Sequence, residues 1–242
     1  MTPFARTALL LGQQAIERLA TCRVALFGLG GVGSFTAEAL ARAGIGQMTL
    51  VDGDCVSPSN LNRQLVALHS TLGVPKVAVM AARIRDINPL AQVEPLERFY
   101  LPENADTLDL AHFDYVVDAV DMVVAKVALA VRAKEAGVPL ISCMGAGNKL
   151  DPTRFEVEDL FKTEVCPLCK VMRRELRQHG VTALKVVYSR EPPRRPSADT
   201  QTSDSPAGRV PTGSVSFVPS VAGLLLAAEV VRDLIDSQQQ TQ

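Results

Sequence analysis

The sequence predicts a doubly wound (Rossmann-like) α/β fold: a mostly parallel sheet with helices on both faces, followed by a C-terminal extension of strands and helices. Three observations predict it. Short apolar runs alternate with helix-periodic segments as far as about residue 145. A glycine-rich turn, GLGGVGS at residues 28–34, follows the first of those runs and opens a helix. An acid, Asp52, closes the second run, where a nucleotide-binding βαβ unit carries its ribose-binding carboxylate.

Taken in order, residues 12–20 predict a short helix that leads into a strand at RVALFG, 23–28. Ser34 to Ala43 reads as a helix with Gly44 as its stop. QMTLVD, 47–52, is a second strand. In 76–87, Val77, Met80, Ala81 and Ile84 recur at helical spacing, and Asn88-Pro89 ends the helix. QVEPLERF, 92–99, reads as a strand weakened by Pro95, and DYVVDA, 114–119, as a short buried one. A helix over 123–136 and a buried strand over 138–144 complete the repeat. Beyond 145 the pattern changes. Residues 154–161 alternate as a half-buried strand does, 168–179 form a charged helix, and 184–189 are strand-like. The stretch 190–213 is dense in Pro, Ser, Thr, Asp and Gly and predicts a mobile loop, and the terminal SQQQTQ a frayed tail. Val221 to Ala228 is too short to span a membrane and reads as a buried helix.

Composition excludes several classes. With 47% hydrophobic and 21% charged residues the chain is an ordinary globular one, and its formal charge of −1 supplies no global attraction to nucleic acid or anionic lipid. Any nucleic-acid contact must be local. Five scattered cysteines and an N-terminus without a secretory pattern predict a reduced, cytoplasmic setting.

The glycines Gly28, Gly30, Gly31 and Gly33 with Asp52 predict a nucleotide site without choosing the nucleotide. The stretch VDGDCVSPSNLNRQ, 51–64, decides it. A hydride-transfer enzyme needs one acid there and little else. This sequence adds Asp54, Asn60, Arg63 and Gln64, then Lys76. Cations converging on a phosphate site suit attack on phosphorus, where charge builds on the oxygens. Asp121, in DAVD at 118–121, would face the same crevice and suits Mg²⁺ held against a phosphate chain. Together they favour ATP over a dinucleotide.

The order G-x-G-G-V-G-S, D-x-D-x-V-x-x-S-N-x-N-R-Q, G-x-P-K and D-A-x-D resembles the ThiF/MoeB superfamily of ATP-dependent adenylating enzymes over roughly residues 4–236. The stretches 4–12, 85–89, 141–163 and 217–225 are similar to its tRNA threonylcarbamoyladenosine dehydratase branch. The resemblance implies a single adenylating domain over 1–242, with its nucleotide core at about 20–150 and a tRNA-facing part at about 151–236. It implies that Asp52 binds the ribose, that Asp54 lies near the phosphates, and that Asn60, Arg63 and Lys76 hold the phosphate chain. Asp121 would hold the metal, and Arg6 would reach the ATP of the other subunit of a homodimer. The implied reaction adenylates a tRNA-borne carboxylate and then cyclises it without an enzyme nucleophile.

The sequence departs from that branch at CPLC, 166–169. No second C-x-x-C follows, and with His179 as a third ligand a fourth is still missing, so zinc is not expected. Two partly buried thiols at a helix start is the reading kept. Lys170, Arg173, Arg174 and Arg177 share a face of the helix that follows, with Arg190, Arg194 and Arg195 nearby in sequence, and are the candidate tRNA contacts. The alternative function is activation of a ubiquitin-like or sulfur-carrier protein C-terminus. The branch's association with cysteine desulfurases leaves a sulfur-relay partner open, and the residues leave open a monovalent cation among the loops.

Overall fold

The computed structural model describes residues 3–195 and 212–236. Its elements are α1 (Ala5–Leu11), α2 (Gln13–Leu19), β1 (Arg23–Phe27), α3 (Gly33–Ala43), β2 (Gln47–Val51), α4 (Lys76–Ile87) and β3 (Gln92–Leu96). They continue with β4 (Tyr115–Asp118), α5 (Val123–Ala136), β5 (Leu140–Cys143), β6 (Phe155–Asp159), α6 (Pro167–Gln178), β7 (Lys185–Ser189) and α7 (Phe217–Asp236). The seven strands form one sheet in the order β3-β2-β1-β4-β5-β7-β6. All neighbours pair in parallel except β6, which runs antiparallel to β7. The expected doubly wound fold is the one observed.

The strands are fixed by period-two burial on both faces. In β1, Val24 and Leu26 face a core shared with α2, α3, α4 and α7, whereas Ala25 and Phe27 face a second core against α5 and the 100–110 segment. Further along the sheet, Val186 and Tyr188 of β7 pack with Cys169, Met172 and Leu176 of α6. Leu26 is fully buried, and cutting such a side chain to alanine costs about 2–5 kcal/mol. The C-terminal elements are built into this scaffold. β6 and β7 extend the same sheet, and α7 returns to pack on α3, where Thr36 Oγ1 donates to the Gly223 carbonyl at 3.0 Å.

Three expectations shift, and one helix is added to them. Residues 5–11 form α1, which shows no core-facing period because it buries none of its residues in this chain. The strand expected over 92–99 stops at Leu96, and Pro95 is tolerated because β3 is an edge strand. The strand expected over 154–161 ends at Asp159, whose carboxylate accepts from the Phe161 amide and starts a 3-10 turn. The C-terminal helix begins at Phe217, with Pro219 in its first turn, where no amide partner is needed. Of the loop expected at 190–213, residues 196–211 lie outside the described residues, as does the SQQQTQ tail. Among the described residues no helix is long and apolar enough to cross a membrane.

Candidate active site

The strand order reverses direction between β1 and β4, so the carboxyl ends of β1, β2, β4 and β5 border one crevice of about 460 Å³. The glycine turn forms its floor. Gly28 has φ 87°, and a Cβ there would stand 2.7 Å from the Ala119 carbonyl oxygen. A Cβ on Gly33 would meet the Gly28 carbonyl oxygen at 1.8 Å. Both glycines therefore allow the starts of α3 and of the loop after β4 to close on the end of β1. Gly30 and Gly31 line the crevice, and α3 opens beside them without a side-chain cap, with its positive end available to an anion.

Asp52 is 9% exposed and holds the turn: one oxygen accepts the Leu29 amide at 2.6 Å, the other the Asp54 amide at 2.8 Å. Its remaining lone pairs face the crevice, where a ribose hydroxyl could donate. Asp54 accepts from Lys76 Nζ at 2.7 Å, and Lys76, 4% exposed, starts α4. Asn60 is buried, and its Oδ1 accepts the Ser57 amide at 3.0 Å, so it shapes the loop that carries Arg63 and Gln64. Arg63 Nη1 donates to the Ser59 carbonyl at 2.9 Å and to Asn62 Oδ1 at 3.1 Å. Among the described residues it has no carboxylate partner, and burial lowers its pKa. Gln64 lines the crevice, and its Oε1 is buried with no hydrogen-bond partner among the described residues. Asp121 lies exposed just past β4, lines the crevice, and makes no ion pair among the described residues.

The structure thus brings Gly28, Gly30, Gly31, Asp52, Asp54, Asn60, Arg63, Gln64, Lys76 and Asp121 to one cavity. Gly33 contributes from behind the turn. Arg6 is not in this group: it is exposed on α1, and within this chain it does not line the crevice. The donor set suits a nucleoside triphosphate. Two cations and a helix N-terminus meet the Asp121 carboxylate, which is unpaired among the described residues, with Asp52 at the other end.

Several lining residues carried no sequence signal. Arg98, Phe99 and Tyr100 follow β3 into the crevice; the buried Tyr100 hydroxyl lacks a partner among the described residues, and burial raises its pKa. Lys126 also lines the crevice, joined by Thr212 and Ser214 from just before α7. The alternating run before Phe99 pointed to a strand, and nothing in it marked a ligand-facing end.

The candidate tRNA residues divide. Lys170, Arg174 and Arg177 are exposed on α6, with Arg174 paired to Glu175 and the Arg177 guanidinium 5.4 Å over the Phe161 ring. Arg173 turns inward. Its Nη1 donates to the Thr163 carbonyl at 2.8 Å and the Leu160 carbonyl at 3.2 Å, and also to Thr163 Oγ1. Of the nearby arginines, Arg190 pairs with Glu156 and Arg194 with Glu191.

All five cysteines are free. Cys166 and Cys169 are 3% and 0% exposed, more deeply buried than the sequence suggested. The Cys169 thiol donates to Cys166 and holds it below the ordinary thiol value, assisted by the amides of Cys169, Gly145 and Leu168, while that shared hydrogen bond and burial raise Cys169. His179 caps the far end of α6, about 20 Å along the helix from Cys166, so it cannot complete a metal site with the pair. Burial pushes Cys143 up to about 12, which removes it as a nucleophile at neutral pH. Among the described residues no group of three or more His, Cys, Asp or Glu side chains is arranged to hold a metal by itself.

A model of the ThiF family matches residues 4–242. A tRNA threonylcarbamoyladenosine dehydratase of Bacillus subtilis is 44% identical over 239 residues, covering 96% of this chain and 94% of that protein. The crystal structure of Escherichia coli tRNA N6-threonylcarbamoyladenosine dehydratase in complex with ATP matches with a TM-score of 0.90 at 33% identity, over 99% of this chain and 96% of that one. A molybdopterin-synthase adenylyltransferase of Salmonella typhimurium is 40% identical over 140 residues, which is 58% of this chain and 54% of that protein.

Proposed function

The chain belongs to the ThiF family, and on that footing we propose that its crevice performs the ATP-dependent dehydration of N6-threonylcarbamoyladenosine next to the tRNA anticodon. The carrying observation is the convergence of Arg63, Lys76 and Asp121 on the cavity floored by the glycine turn and Asp52. The near full-length likeness to dehydratases, against the partial likeness to a protein-activating adenylyltransferase, favours a tRNA substrate.

The substrate carboxylate attacks the ATP α-phosphorus, forming an acyl-adenylate and releasing pyrophosphate. A ureido atom of the same side chain then attacks the activated carbonyl and expels AMP, losing its proton as the ring closes. Oxygen leaves the nucleoside with AMP, so the net change is loss of one water. Two atoms of one side chain already lie at high effective concentration, so no enzyme nucleophile is required. Arg63 and Lys76 balance charge on the phosphate chain, and Asp52 fixes the ribose. Mg²⁺, held by Asp121 and the phosphates, would neutralise the developing charge. A homodimer is supported by α1, where Leu9 and Leu10 are 85% and 88% exposed beside Arg6, so that a second copy could cover the leucines and receive the arginine.

The test incubates the protein with ATP, Mg²⁺ and tRNA bearing the linear modification, then weighs the mildly digested nucleosides. The proposal expects an ATP-dependent loss of one water that Lys76→Ala abolishes. An unchanged nucleoside, alongside pyrophosphate exchange driven by a protein ending in Gly-Gly, would transfer the chain to the protein-activating reading.

A further inference from the structure

Four cationic side chains line the crevice, and one of them is already fully engaged. Lys126 of α5 is 1% exposed. Its Nζ donates to Asp118 Oδ2 at 2.9 Å, to the Cys143 carbonyl at 2.7 Å and to Ser142 Oγ at 3.2 Å. An ammonium has three donors, and all three are used. Lys76, by contrast, uses one side-chain donor, on Asp54. Lys76 can therefore turn to a phosphate, and Lys126 cannot without giving up a buried bond.

What Lys126 holds is the end of β4. Asp118 is also 1% exposed; its Oδ2 accepts from both Lys126 and Ser142 Oγ, and its Oδ1 accepts the Val120 amide at 3.1 Å. Val120 is the residue before Asp121. One buried unit thus ties α5, the end of β5 and the backbone leading into the exposed carboxylate. We propose that Lys126 is a positioning residue: with Asp118 and Ser142 it forms a strut that sets Asp121 for the metal–ATP complex, and it does not bind the phosphates. This rests on the reading of Asp121 given above.

A buried ion pair is weak evidence for stability, because desolvation offsets its attraction, so a positional role rests on the bonds that link the pair to the backbone before Asp121. Groups that orient a metal ligand typically change metal affinity or activity by about 10–100-fold when removed.

The experiment measures ATP affinity without metal and Mn²⁺ affinity in the ATP complex by electron paramagnetic resonance. It adds hydrogen exchange over residues 119–122, all on the intact chain. For Lys126→Met and Asp118→Asn the proposal expects metal-free ATP affinity within about twofold of wild type and Mn²⁺ affinity lowered about tenfold. The double variant should be no weaker than either single one, because both break the same strut. Exchange at Val120 and Asp121 should rise. Ser142→Ala, which keeps both charges, should raise that exchange to a smaller degree and serves if the charge variants do not fold. Weakened metal-free ATP binding in Lys126→Met, absent in Asp118→Asn, would make Lys126 a phosphate ligand and overturn the proposal. So would unchanged exchange at 119–122 in Ser142→Ala and in whichever charge variants fold. If Asp121→Asn binds Mn²⁺ as wild type does, the reading of Asp121 fails and the metal role of the strut fails with it; if Asp121→Asn loses Mn²⁺ while Lys126→Met and Asp118→Asn bind it as wild type does, the strut alone fails.

Discussion

Lys76 shows how much a single buried cation can be asked to do. It is 4% exposed, its one partner Asp54 is half exposed, and two of its donors remain for a ligand. Arg63 is the second cation and, unlike Lys76, has no carboxylate partner among the described residues. Each is expected to act most strongly when charge builds on the transferring phosphorus, so Lys76→Ala and Arg63→Ala should each lower kcat on the order of 10²-fold or more. Steady-state kinetics at saturating ATP checks this; a rise in KM with kcat unchanged would reduce them to ground-state binding. At this scale the sequence was most legible where a residue type had one use in its context. Glycines between strand and helix, an acid at a strand end and cations downstream all pointed to one crevice. Lys126 and Asp118 were not legible, because a lysine in an alanine-rich helix and the first acid of DAVD have no pattern that announces a buried pair. The buried Gln64 Oε1 and Tyr100 hydroxyl, unpartnered among the described residues, emerge only when neighbours are known.

Among the elements, α6 separates two roles that one charged face had merged. Arg173 satisfies carbonyls of the turn at Leu160–Thr163, while Lys170 and Arg174 point to solvent. Arg173→Ala should destabilise the fold by about 1–3 kcal/mol, since it strands buried acceptors. Denaturant unfolding measures this directly. Lys170→Ala with Arg174→Ala should leave stability near wild type, weaken tRNA binding, and flatten its log–log salt dependence by about one per lost phosphate contact. Equal tRNA affinity across a salt series would remove α6 from the interface. The helix α1 makes the complementary case. None of its seven residues is fully buried in this chain and Leu10 is 88% exposed, so Leu10→Glu should leave the subunit folded while lowering both its mass in solution and its turnover. Light scattering and activity on one sample decide it, and a monomeric wild type would contradict the proposed dimer. Its apolar residues showed no core period in the sequence because none of them is fully buried against the rest of this chain.

For the whole molecule, the strand order and the two-sided core follow from alternation that the sequence carried openly, while exact element ends did not. They depend on local bonds such as the Asp159 cap and on the edge position of β3. The same burial has a pH consequence. The chain has three tyrosines and no tryptophan. All three have raised pKa values: burial acts on Tyr100 and Tyr188, and burial with the Asp233 hydrogen bond on Tyr115, whose hydroxyl lies 2.6 Å from that carboxylate. A group whose folded pKa is raised contributes stability that is complete below its unfolded value and is lost as pH climbs above it. Stability should therefore fall above about pH 10, the ordinary tyrosine value. Tyrosinate absorbance should rise together with loss of circular dichroism; free titration of a folded protein near pH 10 would contradict the burial.

The central claim is that the tRNA carboxylate attacks the α-phosphorus of ATP in this crevice. The direct test supplies tRNA whose threonylcarbamoyl carboxylate carries ¹⁸O and weighs the products of one turnover. One ¹⁸O in AMP, with unlabelled pyrophosphate and a cyclised nucleoside, is the predicted result. Label in inorganic phosphate with ADP formed, or AMP without label, would place the attack elsewhere and contradict the account.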